Sequence, residues 1–222
     1  RRRRTDPVDN LQTRLWLESI FHDFKISRQE LDRLLSGDSE SSGCVLKWLK
    51  GEHSATQITV KQVKKLLPGS NHIYDLPIFH LLKNKPLSKA YLKKVIAPYL
   101  SESTLPIWNF PITQNGIPDG LPAPTTHLLD TETLFQRGDL YGFMGILYLA
   151  RKAEAENDHE GHILFIKEAY RALPGLCRYR YFRRRWGEFY NALLYIHCRM
   201  PASAMMVMPK IATIQMQVES KE

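Results

Sequence analysis

The sequence predicts an all-α protein in two parts, joined by a strap too rich in helix breakers to be helical. Apolar residues recur at i, i+3 and i+4 over residues 7–97 and again over 139–199, the period of helices with one buried face. Residues 101–130 hold Pro106, Pro111, Pro118, Pro122 and Pro124 together with Gly116 and Gly120, a density that excludes one continuous helix. Charge divides the same way. Residues 1–100 carry 18 basic and 10 acidic side chains and residues 101–222 carry 13 of each, so the whole formal net charge of +8 lies in the first part.

A chain of 222 residues allows one or two domains, and 43% hydrophobic with 10% aromatic residues supplies a packed core. The longest apolar run, residues 140–150, is 11 long and falls short of the roughly 20 a membrane helix needs. The run Arg1, Arg2, Arg3, Arg4 is basic, but no apolar stretch follows it, so no secretory leader is expected. An opening of four arginines without Met fits a processed or renumbered chain. Cys44, Cys177 and Cys198 are odd in number and form no C-x-x-C, which fits ordinary thiols in a reduced, cytoplasmic compartment.

The elements follow in order. Residues 7–24 read as an amphipathic helix with Leu11, Leu15, Ile20 and Phe24 on the buried stripe and Trp16 and Leu17 at its margins. Residues 27–35 are a short helix that opens on Ser27 and Glu30, an S-x-x-E capping box. Residues 38–43 are polar and turn-like. Residues 44–50 form a helix with Val45, Trp48 and Leu49 inward, stopped by Gly51. Further helices are expected over 59–67 (closed by Pro68-Gly69), 76–82 and 88–97. Residues 101–130 form an ordered strap, since Ile107, Trp108, Phe110 and Ile112 are too apolar for a free linker. Helices resume over 139–156, where Gly142 and Gly145 permit close approach of a neighbour, then over 159–173 (ended by Pro174-Gly175) and 176–199. The tail, residues 200–217, holds five of the six methionines and is expected to close the core.

Residues 27–66 carry the functional expectation. A helix-turn-helix needs two short helices locked by apolar residues and a second helix whose outward face carries small polar or basic groups. Leu31, Leu34 and Leu35 supply the first apolar face and Val45, Trp48 and Leu49 the second, leaving Ser41, Ser42, Lys47 and Lys50 outward. Ser27-Arg28-Gln29-Glu30-Leu31 and Val45-Leu46-Lys47-Trp48-Leu49-Lys50-Gly51 resemble the phage repressor/Cro-like (XRE-type) helix-turn-helix domains. Thr59, Val63 and Leu66 resemble the packing helix that follows. The resemblance covers residues 20–67 and departs from the family in four ways. The spacing from Leu31 to Val45 is about three residues longer, Leu49 replaces a usual Glu, Ala55 replaces a frequent Pro, and Asp38 and Glu40 place negative charge near the groove-facing end. Residues 68–82 also resemble an extension found in uncharacterised bacterial proteins with such a domain, which points to a prokaryotic setting.

The resemblance implies a non-catalytic, sequence-specific transcriptional regulator that reads duplex DNA through the major groove. Ser41, Ser42 and Lys47 would face base edges, while Gln29, Lys50, His53 and Thr56 would face phosphates. The domains expected are a DNA-binding domain over residues 7–100, the strap over 101–130 and a helical dimerisation or partner-binding domain over 131–222. The alternative is a non-catalytic adaptor subunit of a larger nucleoprotein complex serving defence, transposition or plasmid maintenance. Arg178, Arg180, Arg183, Arg184 and Arg185, interleaved with Tyr179, Tyr181, Phe182 and Trp186, suit a nucleic-acid or partner surface. The aromatic spacing Tyr179, Phe182, Trp186 and Phe189 equally describes an inward helix face. No phosphate-binding, dinucleotide or nucleophile-elbow motif is present. His159-Glu160-Gly161-His162 has histidines at i and i+3 rather than the i and i+4 of a zinc protease, and reads as a solvated helix start. No metal or other cofactor is expected.

Overall fold

The computed structural model describes residues 6–37, 43–96, 107–108, 121–122 and 127–220. These residues contain thirteen helices and one antiparallel ladder, β1 (Ile107–Trp108) with β2 (Leu121–Pro122), pairing Ile107 with Pro122 and Trp108 with Leu121. Among the described residues the fold is all-α apart from this four-residue ladder. Of the rest of the expected strap, residues 127–130 are instead the start of a helix that runs to Arg137, and residues 101–106, 109–120 and 123–126 lie outside the described residues. The chain divides into two compact units, residues 1–79 and 80–222.

In the first unit, α1 (Pro7–Asp23) starts where Asp6 accepts a hydrogen bond from the Val8 N–H at 2.9 Å and Pro7 takes the first helical position. Leu11, Leu15 and Ile20 are buried as the periodicity requires. Trp16 and Leu17, expected at the margin, are wholly buried, and Phe24 is only half-buried. The difference arises because α1 is covered on most of its circumference, and its polar side chains serve surrounding backbone. Gln12 Nε2 donates to the Tyr74 carbonyl at 2.6 Å and Trp16 Nε1 to the Ser70 carbonyl at 2.9 Å. Thr13 Oγ1 accepts from the Ala55 N–H at 3.0 Å. The other helices of this unit are α2 (Arg28–Ser36), α3 (Cys44–Leu49) and α4 (Gln57–Leu66). Val60 and Val63 form the buried face of α4, whereas Leu66, expected to pack, is 50% exposed. The short α5 (Ile78–Leu81) begins at the boundary.

The second unit holds α6 (Lys89–Ile96), α7 (His127–Arg137), α8 (Leu140–Glu156), α9 (His159–Leu176), α10 (Arg180–Arg183), α11 (Trp186–His197), α12 (Pro201–Ala204) and α13 (Ile211–Glu219). Helix α6, expected with the N-terminal part, packs on α8 and buries Leu92 and Ile96. The composition break at 101–130 therefore marks a change in local backbone preference, while packing changes partner earlier. Helices α8 and α9 join through Asn157, in the left-handed region at φ 55°, and Asp158, which caps α9. The expected close approach at Gly142 and Gly145 is made by α7: a Cβ on Gly142 would run into the Leu134 carbonyl oxygen, and one on Gly145 would meet the Leu134 side chain at 2.8 Å.

Two expected boundaries differ. Helix α9 runs through Pro174 to Leu176, because Leu173, Pro174, Gly175 and Leu176 are all buried and Gly175 lies against the Gly138 carbonyl. The helix expected over 176–199 is instead a turn, the short α10, a second turn and α11. That bend brings Phe182 and Phe189 together in the core at 5.3 Å between ring centroids, a contact i,i+7 geometry on one straight helix does not supply. The tail closes the core only in part. Met200, Ile214 and Val218 are buried, but Met205 and Val207 are 83% and 90% exposed.

Candidate nucleic-acid interface

Helix α3 is six residues long, and its ends are fixed by backbone geometry. Gly43 precedes it at φ 62° and Gly51 follows it at φ 73°, both in the left-handed region that glycine adopts without steric cost. Asn10 of α1 fixes the turn after it by donating to the Gly51 carbonyl at 2.9 Å.

Gly43 has no side chain to cap α3. The cap comes from α2: the buried Asp32 carboxylate accepts from the Gly43 N–H at 3.0 Å and the Val45 N–H at 3.5 Å, with the Cys44 thiol 3.6 Å away. One carboxylate thus joins the two helices and balances the positive end of α3. Any attraction of α3 for phosphate must then come from its cations rather than from the helix terminus.

Val45 and Trp48 anchor α3, at about 1.5–3 kcal/mol for the burial of such a side chain. They join a cluster with Trp16, Leu17, Ile20, Leu31, Val60, Val63 and Tyr74, in which Trp16 lies 6.2 Å from Trp48 and 5.5 Å from Tyr74. With that face inward, Leu46, Lys47 and Lys50 are exposed.

Helix α2 carries the capping box the sequence predicts. Ser27 Oγ accepts from the Glu30 N–H at 3.2 Å, and Glu30 Oε2 accepts from the Ser27 N–H at 2.5 Å. That backbone bond is the leading cause holding the Glu30 carboxyl below the usual carboxylate range. The apolar face of α2 is narrower than Leu31, Leu34 and Leu35 would make it. Leu31 is buried, Leu35 half-buried and Leu34 42% exposed, because Asp32 takes the inward position beside Leu31.

Among the expected contact residues, Gln29, Lys47, Lys50 and His53 are all exposed in this unit. Thr56 is exposed, but its hydroxyl caps α4 by accepting from the Thr59 N–H at 3.2 Å, so it is a capping residue. Ser41 and Ser42, with Asp38 and Glu40, lie outside the described residues. A hollow of about 360 Å³ between α2 and α3 is lined by Arg28, Gln29, Asp32, Arg33, Gly43 and Leu46. Arg28, Arg33 and Leu46 were not expected there. The i,i+4 spacing of Gln29 and Arg33 on one helix face is the signal that marks Arg33.

The five arginines of residues 178–185 differ in exposure. Arg178, Arg180 and Arg184 are exposed, while Arg183 and Arg185 are half-buried. Arg185 pairs with Glu188 at 3.1 Å, and the Arg180 guanidinium lies 5.7 Å from the Tyr181 ring centre. Phe182 belongs to the core, and burial pushes the Tyr179 hydroxyl up to about 12. His159 is exposed at the start of α9, but His162, read from the sequence as solvated, is wholly buried. Among the described residues no group of three or more His, Cys, Asp or Glu is placed to hold a metal ion, and no helix is long and apolar enough to cross a membrane. No protein-family model, curated protein or solved structure matches the chain.

Proposed function

We propose that the first unit binds duplex DNA by inserting α3 into the major groove, and that the protein is a sequence-specific transcriptional regulator without catalysis. The observation that carries this reading is the division of α3 into two faces. Val45 and Trp48 are locked into the core, while Leu46, Lys47 and Lys50 stand outward beside the exposed Arg28, Gln29 and Arg33 of α2. Lys50, Gln29 and His53 are assigned to phosphates, and Lys47 with Ser41 and Ser42 to base edges. Leu46 suits the methyl group of thymine. Readers of this kind work as two-fold dimers on palindromic half-sites. The second unit is proposed to pair the subunits or to hold a protein partner.

Two substitutions test the assignment. Lys50→Ala should weaken binding about equally on all sequences and reduce the slope of log affinity against log salt by about 0.9. Lys47→Ala should cost about 1–3 kcal/mol on the preferred site and relax the preference at one position. Unchanged affinity and salt slope in both variants would overturn the reading.

A further inference from the structure

We propose that the groove between α9 and α13 binds an amphipathic carboxylate, an apolar chain or ring body bearing a single carboxylate at one end. The groove lies wholly within the second unit and rests on nothing argued for α3. Its volume, about 880 Å³, falls in the range of small-molecule sites, roughly 300–1,000 Å³. Phe135, Tyr170, Pro174 and Ile214 line it, and Met206 and Met208 line the segment that follows α12. Thioethers repack around varied apolar shapes, which suits a chain without fixed geometry. The segment is tied down where the Tyr190 hydroxyl donates to the Pro209 carbonyl at 3.0 Å and the Met206 N–H to the Ser203 carbonyl at 2.8 Å.

The charge of the lining selects the ligand's polar end. Among the described residues it contains no Asp or Glu, but it contains Lys167 and Arg171. Arg171 is already committed, 2.6 Å from the buried Glu168 carboxylate and 4.3 Å over the Phe135 ring. Lys167 is exposed and makes no ion pair among the described residues. The Tyr170 hydroxyl is engaged by His197 Nδ1 at 3.2 Å, so Tyr170 offers the groove its ring. One cation without an ion pair among the described residues, beside a long apolar wall, matches a monoanionic amphiphile. An amine would be repelled, and a polyanion would find a partner for only one of its charges.

The test is calorimetric titration of the complete chain with dodecanoate below its micelle concentration, beside dodecanol, dodecylamine and anionic lipid vesicles. Methionine-methyl NMR locates the site. The proposal expects saturable one-to-one binding of dodecanoate, with dodecanol and dodecylamine each at least about tenfold weaker. Lys167→Glu should weaken dodecanoate by a similar factor without changing the thermal midpoint, since Lys167 is exposed. The Met206 and Met208 methyls should shift while the wholly buried Met144 on α8 stays still. The proposal is overturned by no saturable binding, by equal binding of the three amphiphiles, by unaltered affinity in Lys167→Glu, or by uptake from vesicles alone. Concentration-dependent broadening of the Met206 and Met208 methyls without ligand would also overturn it, because the groove would then be filled by a second copy.

Discussion

His162 and His197 are both wholly buried, and both hold α12 at Ser203. The Ser203 carbonyl can only accept, so His197 donates to it from Nε2 at 2.6 Å and takes the Tyr170 hydroxyl on Nδ1. His162 meets the Ser203 hydroxyl through Nδ1 at 2.6 Å. Burial first, then the positive fields of Arg151, His197, Arg199 and His159, push the His162 imidazole down to about 4. An unfolded histidine titrates near 6.5, so between about pH 6.5 and pH 4 the unfolded chain holds the extra proton. Stability therefore falls as pH drops through that window. This histidine alone should remove about 2 kcal/mol between pH 7 and pH 5. Urea unfolding of the protein at the two pH values checks it. In His162→Gln that part of the pH dependence should disappear, and an unchanged pH profile would refute the assignment. Nearby, the wholly buried Arg151 pairs with Glu154 at 2.9 Å and donates to the Lys85 carbonyl. Glu154 also holds Arg199 at 2.5 Å. Glu154→Ala strips a buried guanidinium of its counter-ion and should cost about 3 kcal/mol in the same unfolding measurement.

Two elements owe their placement to a single group each. Asp32 is the only carboxylate on the N-terminal N–H groups of α3 among the described residues, so Asp32→Ala should destabilise the first unit by about 1–2 kcal/mol. Faster hydrogen exchange at Gly43 and Val45 than elsewhere in the unit would show it. Gly142 is the counterpart in the second unit. Gly142→Ala drives a methyl group into the Leu134 carbonyl and should cost about 1–3 kcal/mol, read as a lowered thermal midpoint. A midpoint at or above that of the parent would contradict the packing. These cases show what sequence carries. The Ser27–Glu30 box and the glycine at 51 are readable because each feature spans at most a few residues. The Asp32 cap was not readable, since it links residues 11 and 13 apart across a turn. The passage of α9 through Pro174, the bend between α10 and α11 and the burial of His162 escaped for the same reason. Tertiary packing decides each of them against the local preference. In the candidate interface the exposed Lys47 and Lys50 follow from periodicity once Val45 and Trp48 are set inward. The capping bond of Thr56 is a role the sequence reading did not include, because a capping threonine and a phosphate-facing threonine look alike in sequence.

At the scale of the whole chain, the formal excess of +8 lies in residues 1–100, while the remainder balances 13 basic against 13 acidic side chains. Such an excess favours polyanions in general and by itself carries no sequence information. The groups proposed to turn attraction into recognition are the outward side chains of α3 and the segment before it. The most direct measurement is selection of bound duplexes from a random library by the purified chain at near-physiological salt. The account predicts enrichment of a discrete motif, palindromic if two copies bind together, and loss of that enrichment in Lys47→Ala. Binding that enriches no motif and collapses steeply as salt rises would contradict it, and would leave phosphate contact alone, as in a non-specific adaptor.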